Sequence, residues 1–121
     1  MQDYRNLKVW EKAHRLVLDV YAATGGFPKN EQYGITSQLR RAIVSISANI
    51  VEGCGRKTKP DFARFLTIAV ASANESEYLL LLARDLSYLT DQQFTSLTAR
   101  LIEVRKMMLG LINTLNPKGD A

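Results

Sequence analysis

Phe94, Leu97, Leu101, Val104, Met108, Leu111 and Leu115 recur at alternating steps of 3 and 4, a spacing that lines one face of an α-helix and suits no pleated strand. A helix with one apolar seam is marginal alone in water, so the rest of the chain must supply partner helices. Three further segments carry the same rhythm. The first, about 6–24, places Trp10, Ala13, Val17, Val20 and Tyr21 on one face before Gly25, Gly26 and Pro28. The second, about 31–53, carries Ile35, Leu39, Ala42, Ile46, Asn49 and Gly53, with Ile43 and Ile50 on an adjoining stripe. The third, about 59–89, carries Phe62, Phe65, Ala69, Ser72, Ser76, Leu79, Ala83 and Leu86, small enough in its middle for a close neighbour. The fourth spans about 91–116.

The punctuation agrees with these bounds. The three prolines, 28, 60 and 117, fall where a helical pattern lapses or starts. Thr58-Lys59-Pro60-Asp61 and Thr90-Asp91-Gln92-Gln93 have capping-box spacing, a hydroxyl on the third amide and a side chain reaching back to the cap amide. No segment alternates as a half-buried strand does. The reading is all-α: a single domain over 1–121, folded as an antiparallel up-down-up-down four-helix bundle. Second apolar stripes, Ile43 and Ile50 on helix two and Ile102, Leu109 and Ile112 on helix four, point to a further partner and an oligomer.

Composition narrows the chemistry. The charged N-terminus lacks the apolar core of a signal peptide, and the longest purely apolar run is Leu79 to Ala83. A cytoplasmic protein with no membrane partner is expected. One cysteine, Cys54, excludes an internal disulfide and a cysteine-built zinc site within one chain. The net charge is +4, and it is uneven: residues 1–66 hold 11 Lys/Arg against 6 Asp/Glu, residues 67–121 hold 5 against 6. An N-terminal basic excess suits a polyanion, and it is also common on ordinary solvated surfaces.

Several chemical motifs fail on spacing. In Gly-Cys-Gly-Arg-Lys-Thr, Arg56 separates Gly55 from Lys57, and a helix rather than a strand precedes it, so this is no Walker A loop. Gly53 and Gly55 read instead as left-handed residues that end helix two. Glu11 and His14 form one E-x-x-H, half of what a di-metal bundle site requires, and His14 is the only histidine. Cys54 has cations nearby that favour a thiolate, yet reads more simply as a small residue at a helix end. No metal, cofactor or catalytic residue is expected, and the chain is not read as an enzyme. Gln38, Arg41, Ser45, Asn49 and Glu52 trace a polar stripe on helix two, with Ser72 and Glu75 opposite on helix three. They read as a buried hydrogen-bonded network that fixes register or assembly, against the alternative of a carboxylate active site.

Leu7–Ala13, Phe27–Gly53 and Phe62–Leu80, with the core Gln38, Arg41, Ser45, Asn49, Ile50, Glu52 and Gly53, resemble the 23S rRNA intervening sequence proteins over about residues 7–115. Val51 and Ala71 depart mildly from the usual pattern, which more often has alanine and glycine there. The resemblance implies a homopentamer with a central pore, encoded in some bacteria within insertions of the 23S rRNA gene. Similar bundles are the accessory variability determinants of diversity-generating retroelements, where a basic pentamer associates with nucleic acid. The function expected is a non-enzymatic oligomer binding RNA or DNA. Candidate phosphate contacts are Arg5, Lys8, Lys12 and Arg15 on helix one, and Arg56, Lys57, Lys59 and Arg64 around the second link. The alternative is an adaptor scaffold with a protein partner.

Overall fold

The computed structural model describes residues 2–117. The described residues form four α-helices, α1 (Lys8–Thr24), α2 (Ile35–Cys54), α3 (Lys59–Asp85) and α4 (Asp91–Leu115), with 3-10 turns at Tyr4–Asn6 and Lys29–Glu31 and no strand. Contacts run α1 to α2, α2 to α3, α3 to α4 and α4 back to α1. Each helix therefore has two neighbours around a shared core, and α2 against α3 is the most extensive pair. Leu16, Leu39, Ile43, Ile46, Ile50, Leu66, Leu80, Leu101 and Met108 are fully buried there. Each such side chain contributes on the order of 1.5–3 kcal/mol by leaving water.

The helix ends follow local chemistry. Asp3 accepts the Arg5 amide at 3.0 Å, setting a 3-10 turn, and extended Leu7 delays α1 to Lys8. α2 begins at Ile35 rather than near 31, because the backbone of Gly34 (φ −106°, ψ −121°) lies outside the helical region. Thr58 accepts the Asp61 amide at 3.2 Å, but Asp61 does not close the box; its carboxylate turns to Arg64 at 3.0 Å. At α4 both halves form, Gln93 N to Thr90 Oγ1 at 3.0 Å and Thr90 N to Gln93 Oε1 at 2.9 Å.

α3 stops at Asp85, short of 89. Ser87 takes φ 65°, its amide donates to Arg84 O at 2.9 Å and that of Tyr88 to Ala83 O at 2.8 Å. This is a Schellman closure with serine where glycine is usual, so the sequence carries no stop signal there. Conversely, no glycine among the described residues has positive φ, and Gly55 ends α2 at φ −83°. The left-handed role expected of Gly53 and Gly55 is therefore wrong. Gly53 lies inside α2 because a Cβ there would come 2.7 Å from Phe62 Cδ1 and 3.3 Å from its carbonyl oxygen.

Burial corrects the expected face on each helix. α1 buries Val9, Ala13, Leu16, Val20 and Thr24, a face rotated from the one expected. Trp10 and Val17 sit at its flank and Tyr21 is exposed, since the indole packs edge-on to Tyr4 and Tyr21 lies under the Arg40 guanidinium. Ile43 and Ile50 are wholly buried within the bundle, so the second stripe expected on α2 belongs to the core. Ile102 and Ile112 are half-buried, leaving only Leu109 of the α4 set exposed. On α3, Phe65 and Ser72 are half-buried and Leu86 is exposed. α3 is also the one described helix long and apolar enough by composition to cross a membrane, with 33% of that window buried in the bundle.

Three stability outcomes follow from this packing, each read by urea or thermal unfolding. Ile43→Ala should cost about 2–5 kcal/mol, as a core truncation. Gly53→Ala should cost about 1–2 kcal/mol, since overpacking against the Phe62 ring and backbone outweighs the gain in helix propensity. Ser87→Gly should stabilise by about 0.5 kcal/mol, relieving the left-handed strain against a greater entropy loss on folding.

Candidate nucleic-acid interface

The N-terminal segment and the end of α2 are tied together by the Gln2 amide, which donates to Cys54 O at 3.0 Å. α2 ends in a tight turn, Gly55 N to Glu52 O and Arg56 N to Gly53 O, both at 3.1 Å. Only three residues follow before α3 starts on the Thr58 cap. Arg56, Lys57, Lys59 and Arg64 are thereby gathered at one end of the bundle, beside the start of α1. A small cleft of about 270 Å³ lies among Gln2, Cys54, Arg56, Lys57, Lys59 and Phe62.

The eight candidate cations are not equally available. Arg5 is bound to Asp3 (3.1 Å), Lys12 to Glu103 (3.1 Å) and Arg15 faces Glu11 at 3.6 Å. The hydrogen bonds from Arg5 hold the Asp3 carboxyl below the usual carboxylate range. Arg56 meets Glu52 at 3.1 Å and Asp61 at 3.9 Å, and Arg64 meets Asp61. The guanidiniums of Arg56 and Arg64 both lie against the Phe65 ring, at 4.5 and 4.4 Å from its centre. Exposed pairs of this kind contribute little and exchange readily for another anion. Lys8, Lys57 and Lys59 are exposed and have no ion pair among the described residues. Lys12 and Arg15 instead border a separate groove towards α4 with Arg100 and Glu103.

Of the seven residues expected in a polar network, three come together. Ser45 Oγ and Ser72 Oγ are 2.8 Å apart, and the Asn49 amide donates to Ser45 O at 2.8 Å and to its Oγ at 3.0 Å. All three are half-buried. Glu52 is exposed and held by Arg56 alone, while Gln38, Arg41 and Glu75 are exposed and have no side-chain hydrogen bond or ion pair among the described residues. The network is thus smaller and wetter than expected, because Gln38, Arg41, Glu52 and Glu75 sit on the outward side of α2 and α3.

Two groups weighed for catalysis are placed elsewhere. His14 is exposed and stacked on Trp10 with ring centres 5.0 Å apart, while Glu11 faces Arg15, so the E-x-x-H pair is not joined. No group of three or more His, Cys, Asp or Glu able to hold a metal occurs among the described residues. Cys54 is 2% exposed, and burial, then the nearby Asp3 carboxylate, push its thiol above its ordinary 9.0. Nearby cations do not produce a thiolate because Cys54 faces the core. Keeping the thiol neutral contributes stability below the unfolded value, and that contribution fades as pH rises through the higher folded one. A thiol-alkylating reagent at pH 8 should therefore label the native protein at least about tenfold more slowly than the urea-unfolded chain.

Arg40 anchors the end of α1 from a distance along the chain. Arg40 donates from Nε to Thr24 Oγ1 at 2.8 Å and from Nη2 to Tyr21 O at 3.3 Å, placing a cation at the negative end of α1. Its partners lie 16 and 19 residues away, so no local spacing announces them.

The sequence model of the family described as 23S rRNA-intervening sequence protein matches residues 5–110. No curated protein matches the chain. Among solved structures, the fold is similar to a Bacteroides thetaiotaomicron protein of unknown function from the S23 ribosomal protein family, at TM-score 0.76 and 30% identity. That likeness covers 86% of this chain and 97% of the other. With all but its termini matched by the family model and a relative of the same architecture, the chain belongs to the 23S rRNA-intervening sequence protein family.

Proposed function

We propose that this chain is a non-enzymatic, self-associating bundle that binds RNA or DNA phosphates through the cationic end formed by Lys8, Arg56, Lys57, Lys59 and Arg64. The observation that carries this reading is the bond from Gln2 to Cys54, which sets the start of α1 beside the α2–α3 link. Lys8, Lys57 and Lys59 then share one end with no carboxylate partner among the described residues. The antiparallel course is supported by side-chain pairs in which later residues of one helix meet earlier residues of the next: Lys12 with Glu103 but Asp19 with Arg100. A ring of such subunits, in the cytoplasm, would add their fields at one rim.

The test is fluorescence anisotropy with a mixed set of structured RNA and duplex DNA across a salt series. Binding should weaken with salt, and Lys57→Ala with Lys59→Ala should lower the magnitude of the log–log slope on duplex DNA by about 1.8, from two lost phosphate contacts. Unchanged affinity and slope would remove these lysines from the interface. A second reading, an adaptor that binds protein, is favoured by an open groove of about 730 Å³ between α1 and α2, lined in part by Tyr21, Tyr33, Arg40 and Val44. Tyr33 there is 91% exposed. A protein partner retained after nuclease treatment and lost with Tyr33→Ala would favour that reading.

A further inference from the structure

Two outward stripes repeat the rhythm of the core seams. On α2 it runs Ser37, Arg41, Val44, Ala48 and Val51; on α3 it runs Ile68, Ala71, Glu75, Tyr78 and Leu82. Val44 is 38% exposed, Ile68 40% and Tyr78 59%, so neither bundle core covers them. Each stripe contains one charge, and the two are opposite. Arg41 is the one arginine, and Glu75 the one glutamate, among the described residues that make no side-chain hydrogen bond, ion pair or ring contact.

We infer that a second copy of this chain docks here, the α2 stripe of one subunit against the α3 stripe of the next, with Arg41 paired to Glu75 of the partner subunit. This rests on the self-association reading and assigns its faces. Alternating 3 and 4 spacing on both helices allows side chains to interdigitate at a shallow crossing angle, and Ala48 and Ala71 allow close approach. A single charge within an apolar stripe sets register, as a lone polar residue does in a coiled-coil seam. Charge also selects the pairing: α2 on α2 would oppose two arginines and α3 on α3 two glutamates, whereas α2 on α3 joins opposite signs.

Light scattering on the nuclease-treated full chain, with helical content followed by circular dichroism, tests this. Wild type should be multimeric, and Arg41→Glu or Glu75→Arg should each weaken association by about tenfold or more. Combining both reversals in one chain should restore it. Ala71→Trp, at an exposed position, should dissociate the assembly with helical content unchanged. A multimeric wild type whose single reversals and Ala71→Trp remain multimeric overturns the assignment of faces, and failure of the double reversal to restore assembly overturns the charge pair. A wild type that is monomeric at micromolar concentration overturns the self-association reading itself.

Discussion

The close approach of α2 and α3 is the constraint from which much of the structure follows. Phe62 occupies the space a side chain at Gly53 would need, and Ser45 meets Ser72 oxygen to oxygen at 2.8 Å. Small groups at these levels bring two backbones close and make this the most extensive helix pair. Polar atoms brought this near one another must be satisfied, which Ser45, Asn49 and Ser72 do among themselves and with the helix backbone. The same proximity leaves a short link, so its cations cannot spread and gather beside the start of α1.

Charge on this protein is organised by that geometry more than by amount. A net +4 is modest, and many basic side chains are engaged by carboxylates on the surface. Most of those pairs are exposed and contribute little to stability. Lys8, Lys57 and Lys59, without an ion pair among the described residues, are flexible point charges. Arg40 is different: its fork is spent on the last turn of α1, with Tyr21 beneath it, and it acts within the fold.

Legibility in the sequence varied by element. The α4 seam is legible almost residue for residue, because Leu97, Leu101, Val104 and Met108 occupy a single buried face. On α1 the buried face lies about one residue around the wheel from the apolar pattern: Trp10 and Tyr21 sit at its edge, where their polar atoms stay near water. Ile43 and Ile50 looked like a surface for a partner, yet a helix touched on two sides buries a wider arc than one seam. For the candidate site, the residues of the second link were legible as a cluster. Their separation into paired and unpaired cations was not, since Lys12 and Glu103 are 91 residues apart.

The sequence by itself determined the helical class, the approximate bounds of four helices and their caps, because periodicity and capping are local properties of a few consecutive residues. Only the tertiary structure decided which arc of each helix is buried, that Cys54 is a protonated core thiol, and that Ser87 rather than a glycine closes α3. It also decided that Arg41 and Glu75 have no side-chain partner among the described residues. Each of these depends on how neighbouring helices are rotated and how near they come, distances that no spacing along a single helix encodes.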